Sequence, residues 1–242
     1  MLVEGGNMAM VVLVVDDEAS IRTLVRVNLE SRGYQVIEAD SGLTAIHAME
    51  RGMPDLIILD LMMPHMNGTQ VCEWVRERSL TPIIVLSAFS DEAMMIRALD
   101  AGADDYVMKP FRLEVFLARV RALQRRVAAP TSADDDRLLF GDLAIYLKAK
   151  RVTLGGRDVK LTRTEFALLA ELAKNPNSVL THDELLARVW GEEYRGSSHY
   201  LYVYFNRIRK KIGDETNRIL EAVPGFGYVM HLPPTGDSPA PA

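Results

Sequence analysis

The sequence predicts two domains in tandem: an α/β domain on a five-stranded parallel sheet over residues 10–126, then a smaller α+β domain over 137–233. Three observations carry that reading. In the first half, five short apolar runs alternate with five stretches of helical spacing, a rhythm that builds a parallel sheet with helices on both faces. Beyond residue 137 the rhythm changes to short strand-like pieces, three helical stretches and a glycine-rich hairpin. With 242 residues, 48% of them hydrophobic, the chain can supply cores for two ordinary domains.

Residues 10–15 are an apolar run ending in Asp16-Asp17. Residues 18–32 set Ile21, Leu24, Val25, Asn28 and Leu29 at helical spacing, and Gly33 closes that helix. A strand over 34–39 and a helix over 42–51 follow. Residues 55–60 are apolar between Asp55 and Asp60, the pattern of a strand buried on both faces. Asn67-Gly68 opens a helix to 78, with Val71, Trp74 and Val75 turned in. Residues 82–87 make another buried strand, and 91–101 a helix stopped by Gly102. A short strand over 105–108 leads to a closing helix over 112–126, with Val115, Phe116, Val120 and Leu123 inside.

The polar residues sit where these runs stop. Strand one ends in Asp16-Asp17, strand three in Asp60, strand four in Ser87 and strand five in Lys109. A carboxylate inside an apolar strand is costly unless it lies at the wet end among partners. In a parallel sheet all these ends share one edge, where open α/β sheets place their chemistry. Three crowded carboxylates repel one another unless a cation joins them, and a hard cation such as Mg²⁺ accepts their oxygens plus waters. With Lys109 and the Ser87 hydroxyl added, the edge becomes a receptacle for a tetrahedral dianion. Asp60 is the best candidate nucleophile, and its attack on phosphorus would give an aspartyl phosphate. Any one of these acids alone reads as a solvated cap; the combination does not.

This domain resembles a response-regulator receiver. The resemblance rests on Val14-Val-Asp-Asp-Glu18, Leu59-Asp-Leu-Met-Met-Pro64, Leu86-Ser-Ala88 and Gly102-Ala-Asp-Asp-Tyr-Val-Met-Lys-Pro-Phe111. It implies a flavodoxin-like fold in which Asp60 accepts a phosphoryl group from a sensor histidine kinase. It further implies that Asp16, Asp17, Asp60 and the Met62 carbonyl hold Mg²⁺, that Ser87 and Lys109 bind phosphoryl oxygens, and that Tyr106 is the aromatic switch. The Lys109–Pro110 bond would be cis. Receivers of this kind pair with themselves through helix four, strand five and helix five, and Asp104, Asp105, Arg119 and Arg121 fit that pattern. Met95 and Val115 stand where one of the usual charge pairs would be.

Charge separates the halves. Residues 1–126 hold 18 acidic and 13 basic residues, whereas 137–233 hold 11 acidic and 15 basic. An acidic half followed by a basic one suggests two jobs. No apolar run approaches the ~20 residues of a membrane span, and residues 1–10 lack a signal-like pattern. The one cysteine, Cys72, fits a reducing cytoplasm. Residues 127–136 are small, polar and acidic, as in a flexible tether, and 233–242, rich in Pro, Gly and Ala, read as a disordered tail, as do 1–8.

In the second domain, strand-like pieces lie at 139–140, 143–146 and 151–154. Thr162 with Glu165 and Thr181 with Glu184 are capping boxes that open two helices. A loop over 191–197 precedes a helix over 198–212, in which Leu201, Phe205, Ile208 and Ile212 must face the core. Val203, Asn206, Arg207 and Lys210 then point away, flanked by Tyr204, Arg209 and Lys211. An outward basic face with groups that bond base edges suits the DNA major groove. In this reading Arg207 meets guanine, Asn206 adenine and Val203 a thymine methyl, while Arg209, Lys210 and Lys211 hold phosphates. Residues 218–223 and 228–230 form a hairpin around Pro224.

This domain is similar to the winged-helix effector of the OmpR/PhoB family, through Leu161-Thr-x-Thr-Glu-Phe166, Glu184-Leu-Leu-x-x-Val-Trp190, Arg207-Ile-Arg-Lys-Lys211 and Gly225-Phe-Gly-Tyr228. The resemblance implies that 198–212 is the recognition helix, that promoter direct repeats are bound and that loop 191–197 faces RNA polymerase. Ser198-His-Tyr-Leu201 resembles the potassium-transport, KdpE-type branch. Where the wing usually carries arginine, this chain has Pro224, which leaves minor-groove contact by the wing open and more of the specificity to the recognition helix. The whole reads as a transcription regulator switched by phosphorylation and dimerisation, the alternative being an interaction adaptor without specific DNA binding. An aspartate-nucleophile phosphatase needs a second acid two residues after the first, and position 62 is Met, so no enzyme is expected beyond the receiver's own phosphoryl transfer and autodephosphorylation.

Overall fold

The computed structural model describes residues 9–88, 92–125, 137–196 and 201–232. The tether over 127–136 and the end segments expected to be disordered lie outside these residues. The chain divides into two compact units that meet at residues 120 and 121.

In the first unit, β1 (Val11–Val15), β2 (Gln35–Ala39), β3 (Leu56–Asp60), β4 (Ile83–Ser87) and β5 (Asp105–Met108) form one sheet in the order β2-β1-β3-β4-β5. Every neighbouring pair is parallel. The helices are α1 (Ala19–Glu30), α2 (Gly42–Arg51), α3 (Gly68–Arg78), α4 (Glu92–Asp100) and α5 (Leu113–Arg125). β3 and β4 are buried at every residue, as a doubly covered parallel strand requires. The registers Val15↔Leu59 and Asp60↔Leu86 bring the polar strand ends to one edge.

Local chemistry starts the helices. Ser41 and Asn67 each accept the backbone N–H three residues on, and Thr44 and Gln70 answer to the cap's own N–H. Gly68 is there for space: a β-carbon on it would lie 2.3 Å from the Asp60 carbonyl oxygen, so α3 can begin directly against the end of β3. Two helix faces differ from expectation. Leu24 is exposed, because α1 turns Arg22 and Arg26 toward Glu38 on β2, at 3.9 and 3.0 Å, and buries Val25 and Leu29. Trp74 is half-buried and stacks under the Arg78 guanidinium, while Cys72 takes its place in the core.

In the second unit, β6 (Arg137–Phe140), β7 (Leu143–Tyr146), β8 (Arg151–Leu154) and β9 (Arg157–Asp158) form an antiparallel sheet, of which β9 is too short to read in sequence. Then come α6 (Arg163–Ala173), β10 (Leu180–Thr181), α7 (His182–Val189), a single 3-10 turn (Glu192–Tyr194) and α8 (Leu201–Ile212). The wing is β11 (Leu220–Val223) with β12 (Gly227–Met230), and β10 pairs along β12. Both expected capping boxes are formed. The Asp214 carboxylate accepts the N–H groups of Arg218, Ile219 and Leu220 and ties α8 to the wing. Phe205 of α8 stacks on Tyr228 of β12, centroids 3.7 Å apart. The expected first turn of the recognition helix, 198–200, lies outside the described residues.

Candidate phosphoryl pocket and nucleic-acid interface

The strand ends of the first unit converge as their positions in sequence require. Asp16 is almost wholly buried, Asp60 is 6% exposed and Ser87 is fully buried, while Asp17 is open to solvent. One carboxylate oxygen from each of Asp16, Asp17 and Asp60 lies within 4.8 Å of the others. Lys109 reaches in from the end of β5 and donates to Asp16 Oδ2 at 2.6 Å and Asp60 Oδ2 at 2.9 Å. Asp60 Oδ1 accepts the Met62 N–H at 3.1 Å, and Asp16 Oδ1 accepts the Glu18 N–H at 2.9 Å. The Lys109–Pro110 bond is cis. Tyr106 is buried, and the Met62 side chain is exposed beside the pocket.

Electrostatics here follow from burial. Burial pushes the Asp16 carboxyl above the usual aspartate range, against the lowering effect of Lys109. The Lys109 ammonium would be lowered by burial alone, but its bonds to Asp16 and Asp60 outweigh that and raise it. Three hard oxygen donors within one small radius suit a divalent cation of the Mg²⁺ class. Sequence reasoning missed Arg22, whose guanidinium donates to the carbonyls of Asp16 at 2.7 Å and Asp17 at 3.1 Å and holds the acidic turn. Its six-residue offset from Asp16 belongs to no recognised helical or strand spacing.

Of the residues expected on the pairing face, Asp104 is turned inward. Asp104 is fully buried; its carboxylate accepts from Arg76 at 2.6 Å and from the Ile83 N–H at 3.1 Å, so it points into the domain. Asp105 pairs with Arg119 inside the domain at 2.8 Å. Arg121 is exposed, Met95 is 9% exposed and Val115 half-buried.

On α8 the core stripe is Leu201, Tyr204, Phe205, Ile208 and Ile212. Tyr204 was expected on the flank; it is fully buried, its ring 5.5 Å from that of Trp190. Val203 was expected to point outward and is buried as well, an apolar side chain shielded from water rather than offered to it. Arg207 is bound to Glu165 of α6 at 2.9 Å, and Lys211 to the same carboxylate at 2.6 Å. Asn206 and Lys210 are exposed, Arg209 half-exposed with its Nε donating to the Leu220 carbonyl at 2.9 Å. Tyr202, which sequence reasoning passed over, is exposed next to Asn206.

Comparison with known proteins agrees with this geometry. Residues 12–121 match the response regulator receiver domain, and 156–230 the C-terminal domain of transcriptional regulatory proteins. Response regulator MprA of Mycobacterium sp. strain KMS is 41% identical over 225 residues, 92% of this chain and 98% of its own length. The transcriptional regulatory protein KdpE of Mycobacterium tuberculosis is 42% identical over 219 residues, 90% of this chain and 97% of its own. Among solved structures, DrrB of Thermotoga maritima, an OmpR/PhoB homologue, is 31% identical with a TM-score of 0.51, covering 93% of this chain and 100% of its own. A RitR variant is 25% identical with a TM-score of 0.72 at the same coverage.

The chain is therefore a response regulator, in which a receiver is joined to a DNA-binding domain that controls transcription. It belongs to the OmpR/PhoB family. A receiver implies a histidine kinase as partner, and the C-terminal domain implies DNA. MprA and KdpE match almost equally, so overall identity does not single out the potassium-transport branch. No helix among the described residues is long and apolar enough to cross a membrane.

Proposed function

We propose that Asp60 is the phosphoryl acceptor and that its modification raises the chain's affinity for promoter DNA. The observation that carries this reading is one strand edge where carboxylate oxygens of Asp60, Asp16 and the exposed Asp17 gather within 4.8 Å, with Lys109 hydrogen-bonded to the two buried acids. A carboxylate oxygen of Asp60 bonds to phosphorus while the bond from phosphorus to the donor's nitrogen breaks, and the leaving imidazole keeps the electron pair. Asp16, Asp17, Asp60 and the Met62 carbonyl hold Mg²⁺, which supplies charge neutralisation for the transferred group. Lys109 moves its bonds from carboxylates to phosphoryl oxygens, Ser87 donates its hydroxyl, and Tyr106 follows Ser87. The new charge of roughly −2 biases an existing two-state equilibrium of the face formed by α4, β5 and α5.

On that face we place the homodimer, with Asp105, Arg119 and Arg121 near its charged edge and Met95 and Val115 replacing a charge pair. Because apolar contacts are not screened, dimer affinity falls only weakly with salt. Asn206, Arg209 and Lys210 meet DNA, loop 191–197 meets RNA polymerase, and the protein works in the cytoplasm. Slow autodephosphorylation resets it.

The test is labelling with acetyl phosphate and Mg²⁺. Asp60→Asn remains unlabelled; a fully labelled Asp60→Asn protein would overturn the assignment. Mobility-shift assays on selected promoter fragments separate this reading from an adaptor, which would bind no specific DNA in either phosphorylation state.

A further inference from the structure

We infer that α8 meets DNA through an exposed ridge of Tyr202, Asn206 and Lys210, in which Tyr202 and Asn206 read bases and Lys210 holds phosphate, and that Arg207 is a positioning residue held by Glu165 rather than a reader of guanine. The inference rests on the DNA-binding role of the second domain and assigns its specificity.

Glu165 is fully buried at the start of α6. Its Oε2 accepts the Thr162 N–H at 2.7 Å and the Lys211 ammonium at 2.6 Å, while its Oε1 faces the Arg207 guanidinium at 2.9 Å. Arg207 keeps only 13% of its side chain exposed, and its guanidinium lies 5.9 Å from the centroid of the buried Tyr204 ring. Reaching a base would strip one cation from a buried carboxylate, a step that buried ion pairs resist strongly. The commonest specific reader in major grooves is an arginine on guanine; here that arginine is committed elsewhere.

What α8 does present is a row at i, i+4 and i+8, which one helix face aligns. Tyr202, Asn206 and Lys210 are all exposed. At ~1.5 Å rise per residue the row runs ~12 Å along the helix axis, and a major groove is wide enough to admit a helix. Asn206 has the carboxamide that pairs with adenine N6 and N7. Tyr202 has a ring to set against a thymine methyl and a hydroxyl for a base edge. Lys210 is a point charge for phosphate. The site this ridge fits is therefore rich in A·T pairs at the α8 contact, with no guanine read by Arg207.

The experiment is selection of bound sequences from random duplex DNA by the phosphorylated full-length chain, compared with Tyr202→Ala, Asn206→Ala and Arg207→Lys. Lysine preserves the charge facing Glu165 but not the planar fork of arginine, and thermal unfolding checks that each variant is folded. Asn206→Ala loses an adenine position from the selected motif, Tyr202→Ala weakens a neighbouring A·T position, and each lowers affinity for the wild-type site roughly 5- to 100-fold. Arg207→Lys leaves the motif unchanged. Loss of a guanine position in Arg207→Lys overturns the inference whatever the other variants do, and so does an unaltered motif in both Tyr202→Ala and Asn206→Ala. If the wild-type chain selects no motif at all, the sequence-specific reading of the whole domain falls with it.

Discussion

At Gly68 the absence of a side chain lets the Asp60 carbonyl and the start of α3 nearly touch. Gly68→Ala must push α3 off the end of β3, and we expect a loss of about 1–3 kcal/mol in thermal or urea unfolding, with slower labelling of Asp60. Asp16 is altered by its surroundings. Burial raises its pKa, so the folded pocket holds a proton there more tightly than a free aspartate does, and the Mg²⁺ proposed for this pocket would have to displace it. Calorimetric titration should show Mg²⁺ affinity falling on acidification from a pH above the usual aspartate range of about 4; constant affinity down to that pH would contradict the environment described for Asp16. These pocket residues were legible because each ends an apolar run, and a polar residue at the end of a buried strand has few other places to go. Asp104 was not legible: nothing in the sequence beside it reveals that Arg76, 28 positions earlier on α3, is its partner.

At the scale of the helix and the hairpin, charge does two different jobs. The recognition helix looks uniformly basic in sequence, yet Arg207 and Lys211 are anchored to Glu165 in α6. Periodicity located the helix and most of its core stripe but could not show which cations a distant carboxylate claims. Glu165 was legible as half of a capping box, not as the partner of a second helix. Glu165→Ala should leave two cations without their buried partner and cost about 3 kcal/mol in unfolding free energy, whereas Lys210→Ala should leave stability nearly unchanged and reduce the salt slope of DNA binding by about one. The wing carries Glu221 and no lysine or arginine between Leu220 and Met230, with Phe226 exposed at its turn. Gly227 is fixed by contact, since a β-carbon there would fall 1.9 Å from the Leu180 carbonyl oxygen. Pro224→Arg should therefore steepen the salt slope of DNA affinity by about one phosphate contact.

The two-part plan of the molecule was the most legible feature, since rhythm and charge both change between the halves. Strand order was not: β1 lies between β2 and β3 because crossover connections, not sequence neighbours, set the sheet. Each unit has its own buried aromatic or aliphatic centre, Phe116 with β3 and β4 in one and Trp190, Tyr194, Tyr204 and Phe205 in the other. Expressed separately, the two halves should each unfold cooperatively, seen as single calorimetric transitions. A half that stays unfolded alone would show that it depends on the other.

The ammonium of Lys109, lodged between two acids, is an understudy for the Mg²⁺ proposed here. It quiets their repulsion but offers no vacant coordination position to a donor. On the Mg²⁺ site proposed above, a cell short of magnesium would leave the regulator with its shape yet deaf, its DNA-reading half intact and its listening half waiting on an ion.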